Sequence, residues 1–363
     1  MLAQQPYVDL SCSSLRDTVR LHGKSRFPRL NSHRSLRSLV AGAAKAALGP
    51  VARATSGRRG RILMYHRFGS AGTARSLQPA ALEQQLRHLL RHYSVMPLRD
   101  IVECIREQKP LPRLPVALTV DDGYSDFVEL AYPVFQRLRV PVTLYVTSQF
   151  VSGRLWLWWD SIRHLVERAP ARSVDFGFGG SSIRLQLLGE RDRGIAWSAL
   201  ADVGVRLSPD LRDQMIVELQ RRLGIVLPPE PTPEFAAASW PQLRQLDPSI
   251  VEIGAHTRTH PILSRCDAPR ILDEVAGSRA DIEAQLDRQV VSFCYPNGQP
   301  DDVDERCLSA ARDAGYQSAV MACGGFCSSQ SDPFALERMP ARHDVTDFYS
   351  VVAGVPDLLR RSS

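Results

Sequence analysis

Apolar residues along the chain fall into short runs split by polar turns, and between the runs they recur at helical spacing. From Arg61, the stretch RILMYHRFG starts as a short buried strand and ends in a polar tip. Residues 79–93 (PAALEQQLRHLLRHY) place apolar side chains three and four apart, the period of an amphipathic helix. A second small helical piece is predicted over 95–107. The β-branched run VALTV at 116–120 reads as a buried strand that stops at Asp121-Asp122-Gly123. A helix over 124–138 and a strand over 140–146 follow. Strand, helix, strand predicts parallel strands joined by crossover helices. After a break the alternation resumes: a short helix at 240–246, a strand at 250–254, a long helix at 268–286, a strand at 290–295, a helix at 304–314 and a strand at 316–321. The fold class is therefore α/β, with functional groups expected at the carboxyl ends of the strands.

The break covers about 152–239. It opens with the tryptophan-rich RLWLWWDSIRHLVERA and closes on PPEPTP. We read it as a mostly helical insertion between two barrel elements. Its tryptophans either pack a local core or form a face on which sugars stack. The main domain spans 61–350, and residues 1–60 form a basic, weakly ordered N-terminal extension.

Charge adds one feature. The formal net charge is +6, and the excess is concentrated in the first 61 residues, where the only acids are Asp9 and Asp17. Such an arm suits acidic lipid or glycan, and it leaves membrane-surface contact open. Its only aromatic residues are Tyr7 and Phe27, which make no base-stacking series, so no nucleic-acid partner is expected. With 44% hydrophobic and 23% charged residues the chain is neither disordered nor a membrane span. A basic leader followed by an unbroken apolar run is missing at the start, so the expected location is cytoplasmic, with membrane association through the arm left open. Seven scattered cysteines do not suggest a disulfide framework; buried, idle thiols are the better reading.

Three strand ends present polar groups: Asp121 and Asp122, then His256 and His260, then Tyr295-Pro296-Asn297-Gly298. Each has a bland reading. Adjacent carboxylates are often a solvated turn or a helix cap, and a lone histidine is usually structural. Together they supply what hydrolysis of an unactivated amide needs. Two histidines four apart with one carboxylate are a common catalytic metal set. A metal polarises the carbonyl and acidifies water, and a nearby carboxylate takes the proton. A backbone N–H from the Pro-Asn-Gly turn is placed to meet the developing oxyanion. An acid must also protonate the departing amine.

LTVDDGYSDF, GAHTRTHPIL and FCYPNG, in this order, resemble the polysaccharide deacetylases of the NodB-homology family (carbohydrate esterase family 4), and LMYHR is similar to a frequent opening of its bacterial members. The resemblance covers roughly 61–343, interrupted by the insertion. It implies a distorted (β/α)7 barrel. It also implies that Asp121 is the catalytic base and that Asp122, His256 and His260 hold a divalent metal, usually zinc. By the same match Asn297 would give its main-chain N–H to the oxyanion hole, with Tyr295 beside it. The expected function is removal of N-acetyl groups from amino sugars of a polysaccharide or lipid-linked glycan.

The chain also departs from the family pattern. Cys294 stands where many members have an arginine, a late Asp-Trp pair is missing, and the late Leu-x-Leu-His segment is replaced by ALERMPARHDV. In that segment Arg338 falls at a strand-end position, and His343 is the candidate general acid. His66, at the end of the first strand, is its rival. Three alternatives remain: a deformylase, an O-acetyl esterase on the same scaffold, and a catalytically silent glycan-binding protein. The intact Asp-Asp and His-x-x-x-His set argues against the last.

Overall fold

The computed structural model describes residues 48–69, 76–179 and 181–361. In chain order the elements begin with α1 (48–55), β1 (Arg61–Tyr65), α2 (Pro79–His92), β2 (Ser94–Val95), α3 (Leu98–Arg106) and β3 (Pro115–Val120). A π-helical stretch, Phe127–Ala131, then runs into α4 (Tyr132–Leu138), followed by β4 (Val142–Val146), α5 (Ser148–Val151) and α6 (Trp158–Arg168). Next come β5 (Ser173–Phe178), β6 (Ser181–Gln186), α7 (Glu190–Gly204) and α8 (Pro209–Leu223). The chain ends with α9 (Trp240–Arg244), β7 (Val251–Ala255), α10 (Ala268–Leu286), β8 (Ser292–Cys294), α11 (Glu305–Asp313), β9 (Ser318–Val320), β10 (Met339–Pro340), α12 (Val345–Ala353) and α13 (Val355–Arg361).

Among the described residues the contacts define two units. The larger holds 48–160, 207–211 and 228–361. Its parallel sheet runs β10-β1-β3-β4-β7-β8-β9, with β2 also paired to β3. Every residue of β3 and of β4 is buried. Such strands are covered on both faces, which is why they read as continuous apolar runs. Beyond β9, Leu336 bridges in parallel to Val320 before the chain enters β10 beside β1. The sheet therefore curls into a barrel-like α/β fold with helices outside.

The smaller unit comprises 161–206 and 212–227 among the described residues. It is not purely helical. β5 and β6 form an antiparallel hairpin in register from Ser173↔Gln186 to Phe178↔Ser181. Phe176 and Leu185 are buried on its inner face. The segments SVDFGF and SSIRLQ do alternate polar and apolar residues, with Val174, Phe176, Phe178, Ile183 and Leu185 at a period of two, but each run is only six residues long.

Most of the basic extension, residues 1–47, lies outside the described residues, and so does any contact of that arm with a membrane. Residues 48–60 are tied to the barrel. Ala52 packs with Ala353 and Val355, and Gly60 exchanges two backbone hydrogen bonds with Cys327, at 2.7 and 3.0 Å. Among the described residues no helix is long and apolar enough to cross a membrane, and all six described cysteines are free.

Gly254 in β7 lies under the ring of Tyr145 in β4, where an added Cβ would come within 2.5 Å of two ring carbons and 3.0 Å of the Ser292 carbonyl. Tyr145 is fully buried and hydrogen-bonded to Ser292 Oγ at 2.5 Å, so its ring has little room to yield. Gly254→Ala should therefore cost roughly 1–3 kcal/mol of overpacking. It should be seen as a lower urea midpoint at unchanged slope; an unchanged midpoint would show that the ring is free to move.

Candidate active site

The loops after β3, β7 and β8 meet at one end of the sheet. Asp121 extends the β3 ladder by one bond, donating its N–H to the Tyr65 carbonyl at 3.0 Å. The chain then turns sharply. Asp122 and Gly123 have φ of +77° and +90°, so two successive carboxylates point in different directions. A side chain on Gly123 would meet Val151 at 2.9 Å.

In the second loop Thr257 and His260 are also left-handed, at +65° and +57°. Residues that hold such angles need external support, and Glu274 of α10 provides it. This carboxylate is 2% exposed and accepts from the N–H of Arg258 at 2.9 Å and of Thr259 at 2.8 Å. Thr257 Oγ1 accepts the His260 N–H at 3.0 Å.

The result is a tight donor cluster. Asp122 Oδ1 lies 3.5 Å from Nε2 of both His256 and His260, and the two Nε2 atoms are 3.1 Å apart. All three residues are buried. His256 Nδ1–H donates to the Cys294 carbonyl at 2.7 Å, so in the neutral ring the lone pair is on Nε2, the tautomer a metal-binding imidazole requires. Zn–N bonds of about 2.0–2.1 Å at a tetrahedral angle place two nitrogens about 3.3 Å apart, so the donor set fits a divalent cation. A second grouping, Asp121 with His256 and Cys294, also comes close. It is unsuited to a cation because a guanidinium already occupies it.

That guanidinium belongs to Arg338, next to β10. Its Nη1 and Nη2 donate to Asp121 Oδ1 and Oδ2 at 2.6 and 2.7 Å. Nη1 also reaches Thr119 Oγ1 at 2.9 Å, Nη2 reaches Cys294 Sγ at 3.1 Å, and Nε donates to the Met321 carbonyl at 3.0 Å. Burial alone would raise the Asp121 pKa. The Arg338 charge and hydrogen bonds, with smaller help from His66 and His256, outweigh this and hold the carboxyl well below its ordinary range. Burial pushes the Cys294 thiol up, so it stays protonated beside the carboxylate. Cys294, read from sequence as an idle thiol, thus lines the site.

His66 brings Nε2 to 3.7 Å from Asp121 Oδ2 with 45% of its side chain exposed. His343 sits in the exposed segment after β10, and no hydrogen bond or ion pair links it to these groups. In the third loop Asn297 and Gly298 are left-handed, at +60° and +58°, and the Asn297 carboxamide donates to Asp302. Tyr295 has no donor left for a substrate oxygen: its N–H goes to Val320 at 3.2 Å and its hydroxyl to the Phe334 carbonyl at 3.0 Å. Asp121, Asp122, His256, His260 and His66 therefore converge, while His343 and the Tyr295 hydroxyl do not join them. Sequence reasoning missed Glu274 and the pairing of Arg338. Glu274 carried no signal, being one acid among several on a helix, whereas Arg338 was already visible at a strand end.

Comparison with known proteins agrees with this geometry. Residues 108–173 and 231–319 match the polysaccharide deacetylase family. A 78-residue stretch, 21% of this chain, is 32% identical to the poly-beta-1,6-N-acetyl-D-glucosamine N-deacetylase of Escherichia coli K12. The chain spans only 12% of that relative's length. Among solved structures, the Streptococcus pyogenes deacetylase PplD in complex with acetate superposes with a TM-score of 0.53 at 15% identity, over 80% of this chain and 96% of that one. IcaB from Ammonifex degensii superposes with a TM-score of 0.53 at 15% identity, over 82% and 97%. At that identity the structures speak for the fold. Over residues 108–173 and 231–319 the chain is similar to the polysaccharide deacetylase family.

Replacing Arg338 by methionine leaves the Asp121 charge buried and alone, which should cost about 3–5 kcal/mol. Urea unfolding of Arg338→Met, with and without Asp121→Asn, measures it, and the double variant should recover part of the loss. The sign with pH is fixed. Asp121 is lowered in the folded state, so the pair's contribution is present above the unfolded carboxyl pKa of about 3.9 and fades as pH falls towards the folded value. Equal midpoints for Arg338→Met and wild type at neutral pH would refute the assignment.

Proposed function

We propose that this chain is a polysaccharide deacetylase, a divalent-metal-dependent hydrolase that removes N-acetyl groups from the amino sugars of a polysaccharide or lipid-linked glycan. The observation that carries the reading is the Asp122–His256–His260 donor cluster beside an ionised, clamped Asp121. Asp122, His256 and His260 would hold the metal, with zinc the best fit to two imidazoles and a carboxylate. Such a cation polarises the amide carbonyl and acidifies water, so that a weak carboxylate base suffices.

The remaining steps fall to the chain's own residues. Asp121 accepts the proton of the attacking water. Arg338 keeps it ionised and fixes the direction of its lone pairs. The N–H of Asn297 is our oxyanion donor; among the described residues it makes no other hydrogen bond, and the left-handed turn is held by the side-chain bond to Asp302. The departing amine takes its proton from His66. We favour His66 over His343 for this role because its Nε2 lies 3.7 Å from Asp121 Oδ2 while 45% of its side chain stays exposed.

The first test is acetate release from N-acetylglucosamine oligomers, before and after chelation and with zinc restored. Release that stops with chelator and returns with zinc is the expected result; no release from a zinc-loaded protein would move the reading to another acyl group. Asp121→Asn should lose turnover and keep zinc, whereas Asp122→Ala, His256→Ala and His260→Ala should lose zinc. If Asp121→Asn sheds zinc as readily, the division of roles fails. His66→Ala should lower kcat by about two to four orders of magnitude, the usual worth of a general acid or base. His343→Ala should stay near wild type, and the reverse outcome would restore His343 as the acid.

A further inference from the structure

We propose that Trp159 is the wall against which the acyl-bearing sugar ring stacks; this rests on the deacetylase reading and specifies how the sugar is held. Trp159 comes from the tryptophan-rich start of the segment that interrupts the barrel alternation. Its ring centroid lies 4.5 Å from that of His260, edge to face at 71°. A sugar presenting its N-acyl group to the Asp122–His256–His260 cluster must therefore pass beside this indole. Trp158, the preceding residue, is buried at 7% exposure, whereas Trp159 remains half-buried. Adjacent tryptophans have thus been divided between core and site.

Trp159 is also fixed in place. Its indole N–H donates to the Tyr124 hydroxyl at 3.1 Å, and that hydroxyl donates to Asp160 Oδ2 at 2.5 Å. Asp160 is 3% exposed. The Tyr124 ring is itself held between Phe150, at 5.1 Å and 75°, and the Arg67 guanidinium, at 3.8 Å. Tyr124 directly follows the Asp121-Asp122-Gly123 turn, so one chain of hydrogen bonds locks the indole to that turn while its ring stays against His260. An aromatic face ordered before the ligand arrives loses little rotamer entropy on binding. The negative face of an indole attracts the partly positive C–H groups on the apolar face of a pyranose ring.

The experiment compares full-length, zinc-loaded wild type, Trp159→Ala and Trp159→Phe. It measures kcat/KM for the N-acetylglucosamine tetramer and for 4-nitrophenyl acetate, which has no sugar ring, together with bound zinc. For Trp159→Ala the ratio of the two kcat/KM values should fall about tenfold, mostly through KM, as expected for the loss of one aromatic contact. Zinc content should match wild type, and Trp159→Phe should recover most of the ratio. A ratio that does not move would overturn the proposal. Parallel loss of zinc and of both activities would also overturn it, by making Trp159 a packing support for His260. Calorimetric binding of the deacetylated tetramer supplies a readout independent of catalysis. Weaker binding by Trp159→Ala supports the wall even if no acetate is released, and equal binding removes it even if the deacetylase reading stands.

Discussion

A guanidinium buried to 1% exposure must satisfy five N–H donors without water, and Arg338 does so on two oxygens of Asp121, a hydroxyl, a thiol and a carbonyl. Its partners lie on β3, at the end of β8 and beyond β9. The pair joins residues 217 positions apart. It forms only when the last short strand closes against β1, so Asp121 is oriented by completion of the barrel rather than by local structure. A buried pair of this kind is poor evidence for net stability, because the desolvation of two charges offsets their attraction. Its effect is on direction and ionisation: Asp121 is aimed, and it stays charged.

The same division of labour explains where backbone strain sits. Asp122, Thr257, His260 and Asn297 are four of the eight non-glycine residues with positive φ among those described. Each such angle costs of order 1–3 kcal/mol unless its surroundings impose it. Here they do. The strands beneath are buried on both faces and cannot shift, Glu274 binds the His256–His260 loop from α10, and Asp302 binds Asn297. Left-handed turns swing successive side chains to opposite sides, which lets Asp121 face Arg338 while Asp122 faces the histidines.

Much of this was legible in the sequence. The apolar runs at 116–120 and 140–146 are strands because both faces are buried, and the helical period over 268–286 matches α10 residue for residue. The three polar strand ends could be assigned to one rim because parallel strands share a direction. What the sequence could not carry was distance between remote segments. His343 follows a strand-end arginine but makes no hydrogen bond or ion pair with the Asp121 group, whereas the β1–β3 pairing that brings His66 to Asp121 leaves no mark in either strand. The hairpin at 173–186 carries a period of two, but its two short runs lie inside a segment whose longer stretches have helical spacing.

Cys294 and Arg338 become intelligible only together. Where many family members carry an arginine, this chain has a small, fully buried thiol, and the guanidinium arrives instead from the β10 side with its Nη2 3.1 Å from that sulfur. An arginine at 294 would set a second cation against the one already bound to Asp121, in a space closed to water, and like charges there would repel strongly. A thiol is short enough to leave the volume Arg338 fills. Burial keeps it neutral, so it neither competes for the guanidinium charge nor adds a third anion beside Asp121 and Asp122. In this chain the charge on Asp121 is thus compensated from the β10 side rather than from position 294, and the donor cluster next to it is left intact.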